Sequence, residues 1–287
     1  MQGAEIHRAT SLEDLRQAFR LVHDAYVEAG YITPNPGGMR LRSFEAVAET
    51  AMFVAKKGSE VVGALGLVLD SLDLGLPSDR SFRAELDQLR AKGMKLAEGT
   101  NQAVLPAFRK TAVTTELIRC GVAQGVAQGC DGILVTVSPS HSRFYEMLEF
   151  RRASGIRSYS RGFNDPVVVM CLDTRAGRQQ DPASDPCAGF ARDFLFFDNP
   201  FNRKVKAWQP AASQSFYDAK LLRELFVVAT GAIGALTAAE REAVGRRWGA
   251  DLFAEVTGPG LAQVGIPASS YVPTEATAAE SRGHGPR

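Results

Sequence analysis

Leu12, Leu15, Phe19, Val22 and Tyr26 recur at helical spacing and fall on one face. Ser11 stands where an N-cap is needed, with Asp14 three residues later, so a helix is predicted from residue 12 to near Gly30. A short strand signal, residues 5–9, precedes it. The loop 31–39 (YITPNPGGM) holds too much Pro and Gly for regular structure. A short helix at 43–50 leads to two strands, 51–56 and 60–69, which read as a hairpin around Lys57-Gly58-Ser59. Next come a polar helix at 81–91, a strand at 95–104 ending before Pro106 and a helix at 111–128. The apolar strand 132–137 is of the buried, parallel kind. A helix at 140–148 and strands at 157–161 and 167–172 close the series. The order β-α-α-β-β-α-β-α-β-α-β-β predicts an α/β (α+β) fold, with helices packed on a mixed, mostly antiparallel sheet.

The pattern changes at Thr174. Residues 175–189 carry two Asp-Pro pairs and little to bury, as a linker does. Residues 190–209 are aromatic-rich, and 221–231 and 238–252 have helical spacing; from residue 258 Gly, Pro, Ala and Ser dominate. The expected organisation is a core at 1–173, a linker at 174–189, a helical extension at 190–257 and a disordered tail at 258–287.

Charge narrows the possibilities. With 33 Lys+Arg against 32 Asp+Glu, the chain lacks the basic excess of a nucleic-acid binder. Its longest apolar run, residues 226–236, falls far short of the roughly 20 residues that span a bilayer. Residues 1–10 have no apolar stretch of a secretory leader. The four cysteines, Cys120, Cys130, Cys171 and Cys187, form no CxxC, and no Cys/His cluster has metal-ligand spacing. A cytoplasmic protein without a metal is expected.

Three features carry candidate chemistry. Glu98 is an acid in an otherwise apolar strand: it lies on a solvated face, or its pKa is raised and it accepts a proton from an amine. Arg109-Lys-Thr-Ala-Val-Thr-Thr115 opens a helix, whose N-terminal amides suit an anion. In residues 137–150, Phe144 and Leu148 read as core, while Tyr145 has a hydroxyl to place as a proton donor. His141 is a rival base by its intrinsic pKa.

Together these segments resemble the GNAT-type acyltransferases. Val104, Pro106 and Arg109 give V-x-P-x-x-R, and residues 141–150 give H-x-x-F-Y-E-x-L-x-F. The resemblance implies that the strand holding Glu98 and Val104 parts from strand 132–137, and that a pantetheine arm enters the gap. It implies oxyanion donors at the Ala103 and Val104 amides, and phosphate contacts at Arg109, Lys110, Thr111, Ala112, Val113 and Thr114. Ala112 and Thr114 stand where the superfamily favours glycine, so a tightly held coenzyme A is not expected. A donor with one phosphate fits better: an acyl-phosphopantetheine thioester on an acyl carrier protein, docked by basic residues near the entrance, with Arg109, Lys110, Arg151, Arg152 and the run 202–206 as candidates.

The segment 25–40, with Glu98 and Phe144-Tyr145, resembles the N-acyl amino acid synthase branch, related to the acyl-homoserine lactone synthases. That implies transfer of a long-chain fatty acyl group to the α-amine of an amino acid, tyrosine being one candidate. Tyr31 would belong to the acceptor loop, Arg40 or Arg42 would hold the acceptor carboxylate, and Phe44, Phe53 and strand 61–69, with the first helix opposite, would line the acyl channel. Membrane contact would be peripheral, through the lipid product. Rival readings are a coenzyme A-dependent short-chain N-acetyltransferase, a non-catalytic acyl-thioester or lipid sensor, and an autoinducer synthase, for which no S-adenosylmethionine site is evident.

Overall fold

The computed structural model describes residues 3–158, 166–175, 186–208 and 217–258. Among the described residues eight strands form the sheet: β1 (Glu5–Arg8), β2 (Ala51–Lys57), β3 (Glu60–Leu69), β4 (Leu96–Val104), β5 (Gly132–Val137), β6 (Arg151–Arg152), β7 (Arg157–Ser158) and β8 (Pro166–Asp173). Their order is β1-β2-β3-β4-β5-β8-β6, with β7 on β8. Every pair is antiparallel except β4–β5. A parallel pair needs a crossover, and helix α3 (Val113–Ala127) supplies it.

Helix α1 (Leu12–Glu28) starts where the sequence predicts, Ser11 Oγ accepting from the Asp14 amide at 3.1 Å. Helix α2 spans Asp79–Ala91, two residues earlier than expected, and α4 is Ser142–Met147. Alternation along β2 sends Phe53 and Ala55 into the core under α3, and Met52 and Val54 into the core under α1. A third cluster joins Phe82 and Leu86 of α2 to Val68, Leu96 and Leu134. The helices thus cover both sheet faces.

The extension divides between those faces. Helices α5 (Pro186–Arg192) and α6 (Phe201–Ala207), with a wider π-type turn at Asp193–Phe197, bring Leu195, Phe196 and Val205 into the α3-side core. Arg119 of α3 fastens them, donating to the Phe194 carbonyl at 2.9 Å and the Asp198 carbonyl at 2.5 Å. Helix α7 (Ala219–Arg223), a π-type turn at Glu224–Ala229, α8 (Ala232–Ala235) and α9 (Ala238–Thr257) join the α1-side core through Leu222, Leu225, Phe226 and Val244. Segment 221–231, read from sequence as one helix, changes pitch within itself.

Cys120, Cys130 and Cys171 are free thiols. Most of the expected linker, the tail beyond Gly258, the Cys187 side chain and strand residues 159–161 lie outside what is described. Among the described residues no helix is long and apolar enough to cross a membrane.

Candidate active site

β4 and β5 pair only from Leu96↔Gly132 to Gly99↔Val135. Beyond that rung β4 stays on β3, through Thr100, Ala103 and Val104, while Thr136 and Val137 stay on β8. The two strands therefore fork. A bulge accompanies the parting: two steps on β3, Ala64 to Gly66, face three on β4, Thr100 to Ala103. Asn101 takes the extra step with φ of 51°, a left-handed conformation that asparagine tolerates.

Backbone alternation decides which groups face the fork. The Leu105 amide donates to the Val62 carbonyl at 2.9 Å, so Val104, one residue earlier, turns its N–H and C=O away from β3. Arg109 Nε accordingly reaches the Val104 carbonyl from the other side, at 3.2 Å. Ala103, paired with Ala64, turns its amide toward β3. Of the two amides expected as oxyanion donors, Val104's turns away from β3 toward the fork and Ala103's does not.

One cavity of about 1500 Å³ runs through the fork. On the α3 side its wall is apolar, with Leu65, Leu67, Ile118, Gly121 and Phe150. On the α1 side Tyr31, Asn35, Arg40, Arg42 and, from α2, Arg80 line it together with the apolar Ile32, Met39, Leu41 and Val227.

Glu98 sits in this wall at the crotch of the fork, only 2% exposed, and not on a solvated face. Its Oε2 accepts from the Ser78 amide at 2.9 Å and the Ser78 hydroxyl at 2.7 Å, and its Oε1 from Thr136 Oγ1 on β5 at 3.1 Å. Burial pushes its carboxyl above the ordinary glutamate range, against the lowering pull of Ser78, Thr136 and the charge of Arg42.

Tyr145 lies on α4, which follows the end of β5. Its buried hydroxyl donates to Gln102 Oε1 at 2.6 Å, and both residues line the cavity. Burial holds the phenol well above its usual pKa, so it stays protonated at neutral pH. Phe144 and Phe150 meet its ring edge-on at 5.2 and 5.3 Å and fix it. His141 lies at the cavity rim, exposed, at the start of α4.

The arginines belong to one buried network. Arg42 bonds Glu45 through Nη2 at 2.5 Å and Nε at 3.2 Å, and reaches Thr100 Oγ1 at 3.3 Å. Asn101 Nδ2 donates to Glu45 Oε1 at 2.9 Å, and Asn101 Oδ1 accepts from Arg40. Burial opposes the Glu45 charge, but Arg42 and Arg40 outweigh it and hold the carboxyl below its usual range. The Arg40 guanidinium lies 4.9 Å over the Tyr26 ring, and Tyr31 stands edge-on to the same ring at 5.7 Å.

Two expected acyl-channel residues are elsewhere. Phe53 is fully buried in the α3-side core against Trp208, off the cavity wall. Phe44 is also off the wall; it packs on the α2-side cluster, with the Arg42 guanidinium 5.2 Å over its ring. A hydrophobic residue is the same sequence signal in a core and in a channel. Leu65 and Leu67 do line the cavity, on the face packed by α3, while α1 contributes Ala25 and Tyr26 nearer the loop at residues 31–39.

The expected phosphate loop divides likewise. Arg109 and Thr114 line the cavity, and Arg109 also pairs with Glu28 at 3.1 Å. Val113 is core, while Lys110, Thr111 and Ala112 are exposed and off the wall. Ser78, Thr136, Asn101, Gln102 and Glu45 escaped the sequence reading. Only Asn101 left a signal, as a strand-averse residue in mid-strand.

No curated protein matches the chain. The solved structure of FeeM, an N-acyl amino acid synthase from uncultured soil microbes, is similar with a TM-score of 0.53 and 20% identity, over 60% of this chain and 90% of that one. BjaI, a CoA-dependent acyl-homoserine lactone synthase solved with SAM and isopentyl-CoA, gives 0.46 and 20%, over 66% and 99%. An N-acetyltransferase from Staphylococcus aureus Mu50 gives 0.44 and 17%, over 60% and 99%. The family model described as N-acyl amino acid synthase FeeM matches residues 17–173. That span is more than half of the 287 residues, and the chain belongs to this family of acyltransferases on a GNAT-type fold.

Proposed function

We propose that the chain moves a long-chain fatty acyl group from the phosphopantetheine of an acyl carrier protein to the α-amine of an amino acid, tyrosine being one candidate. The observation that carries this reading is the fork: one cavity joins the apolar side chains of Leu65, Leu67 and Ile118 to Arg40 and Arg42, with Glu98 in its wall where the strands part. In this reading the thioester arm lies between β4 and β5, the acyl chain runs along Leu65, Leu67 and Ile118, and the amino acid enters from the side of Arg40 and Arg42.

The acceptor arrives as an ammonium and must lose a proton before it can attack. Glu98 takes that proton, directly or through a water. The amine nitrogen bonds to the thioester carbon, and the oxyanion meets the Val104 amide. The tetrahedral intermediate collapses, the C–S bond breaks, and the thiolate takes the Tyr145 proton. The second proton shed by the nitrogen restores the phenol.

The choice of carrier protein over coenzyme A rests on Thr114, which lines the cavity where glycine would let a diphosphate approach. The exposed Arg109, Lys110, Arg151, Arg152, Lys204 and Lys206 suit an acidic carrier.

The test is to incubate the protein with dodecanoyl-carrier protein, dodecanoyl-coenzyme A or acetyl-coenzyme A and a panel of amino acids, with products read by mass spectrometry. The proposal expects N-dodecanoyl amino acid from the carrier-bound donor. Preferential acetyl transfer would identify a short-chain acetyltransferase, and binding without turnover a sensor.

A further inference from the structure

The family match ends at residue 173, but the cavity wall does not. Val227, Val228, Ala229, Thr230 and Ala235 line it as well. They pack against the loop at residues 31–39, on the side of Arg40 and Arg42: a Cβ on Gly37 would lie 2.7 Å from the Ala229 carbonyl oxygen. The two backbones touch there with no room for a side chain.

The segment is built in, not laid over the surface. Glu224 pairs with Arg16 of α1. Thr230 Oγ1 donates to the Leu225 carbonyl at 2.7 Å and accepts from the Ala232 amide at 3.2 Å, tightening the turn into α8. Gly231 completes that turn with φ of 63°. Helix α9 then grips the stretch that carries Arg42 and Glu45: Ser43 Oγ donates to Glu240 at 2.9 Å, and Trp248 Nε1 to the Ala46 carbonyl at 2.8 Å.

The chemistry of this wall is one-sided. Residues 225–239 contain no ionisable side chain, whereas the loop across the cavity supplies Arg40 and Arg42. We infer that residues 227–235 form the subsite for the acceptor's side chain and admit an uncharged, apolar one. A carboxylate or ammonium set against the half-buried Val227, Val228, Ala229 and Thr230 would shed water and meet no charged side chain of this segment, whose exposed end is Gly234 and Ala235. The inference deepens the proposed transfer reaction, resting on it for the identity of the ligand as an amino-acid derivative.

Calorimetry with synthetic N-dodecanoyl amino acids tests it without requiring turnover. The wild-type protein is expected to bind the leucine and phenylalanine conjugates about 10-fold or more tightly than the aspartate and lysine conjugates. Gly234 lines the cavity, and a Cβ there meets nothing within 4 Å. Gly234→Phe is therefore expected to weaken the phenylalanine conjugate about 10-fold and to spare the glycine conjugate. Thermal melting checks that the variant is folded. Equal wild-type affinity for charged and apolar conjugates overturns the inference, as does uniform weakening by a folded Gly234→Phe. No binding of any conjugate overturns it too. Turnover without discrimination defeats this inference and leaves the transferase reading; discrimination without turnover does the reverse.

Discussion

Ser78 spends both its backbone N–H and its hydroxyl on one oxygen of Glu98, at 2.9 and 2.7 Å. The carboxylate is thereby pinned at the point where β4 and β5 part, its other oxygen held by Thr136. Glu98→Gln keeps the shape and the accepting carbonyl but cannot take a proton. Its turnover should fall about 10²- to 10⁴-fold, with donor affinity nearly unchanged; unchanged turnover would remove Glu98 as the base.

The same carboxyl gives a pH signature. Its folded pKa is raised above the ordinary 4.5 by burial, so the protonated form favours the fold, and that contribution is lost as pH rises through the folded pKa. Glu98→Gln should therefore gain stability relative to wild type on going from pH 4 to pH 8, measured by urea unfolding. Wild-type turnover should fall as pH drops through the same raised value, and the variant's residual rate should lack that limb.

Tyr145 donates to Gln102 at 2.6 Å. Tyr145→Phe removes the proton offered to the departing thiolate but leaves the ring packed between Phe144 and Phe150. Single-turnover kinetics should show thiol release slowed at least 10-fold, with the melting temperature little altered.

Asn101 combines a left-handed backbone with two bonds into the Arg40–Glu45 network. Asn101→Ala loses both and adds strain, at a cost of about 2–4 kcal/mol in urea unfolding. Asn101→Gly relieves the strain alone and should cost less.

Arg42 partners a buried carboxylate, Glu45, whose pKa is held low against its burial by that charge. Arg42→Met leaves Glu45 undercompensated and should destabilise the protein by about 3 kcal/mol at neutral pH. Because the Glu45 folded pKa lies below 4.5, the wild-type advantage is present above that value and is lost as pH falls through the folded pKa. Equal stability at pH 7 would contradict the network.

The strands and helices around the site were legible because each has its own period: α1 from Leu12 to Tyr26, β5 as an apolar run, β4 ending before Pro106. The position of Glu98 in β4 was equally readable. Its clamp was not, because Ser78, the N-cap position of α2, spends its hydroxyl on Glu98 and not on its own helix, and it lies 20 residues upstream. The Asn101 bulge depends on how β3 registers against β4, which no local pattern states. Phe44 and Phe53 illustrate the same limit, since a channel and a core ask for the same residue types. The wall at residues 227–235 arises from contacts nearly 200 residues apart in sequence, such as Gly37 with Ala229.

The most direct test is a crystal structure of the protein with a non-hydrolysable dodecanoyl-pantetheine thioether. The predicted complex has the arm between β4 and β5, the acyl chain against Leu67 and Ile118, and the carbonyl position within reach of the Val104 amide and Glu98. An arm bound elsewhere on the surface, or strands β4 and β5 zipped together to Val104 and Val137, would contradict it.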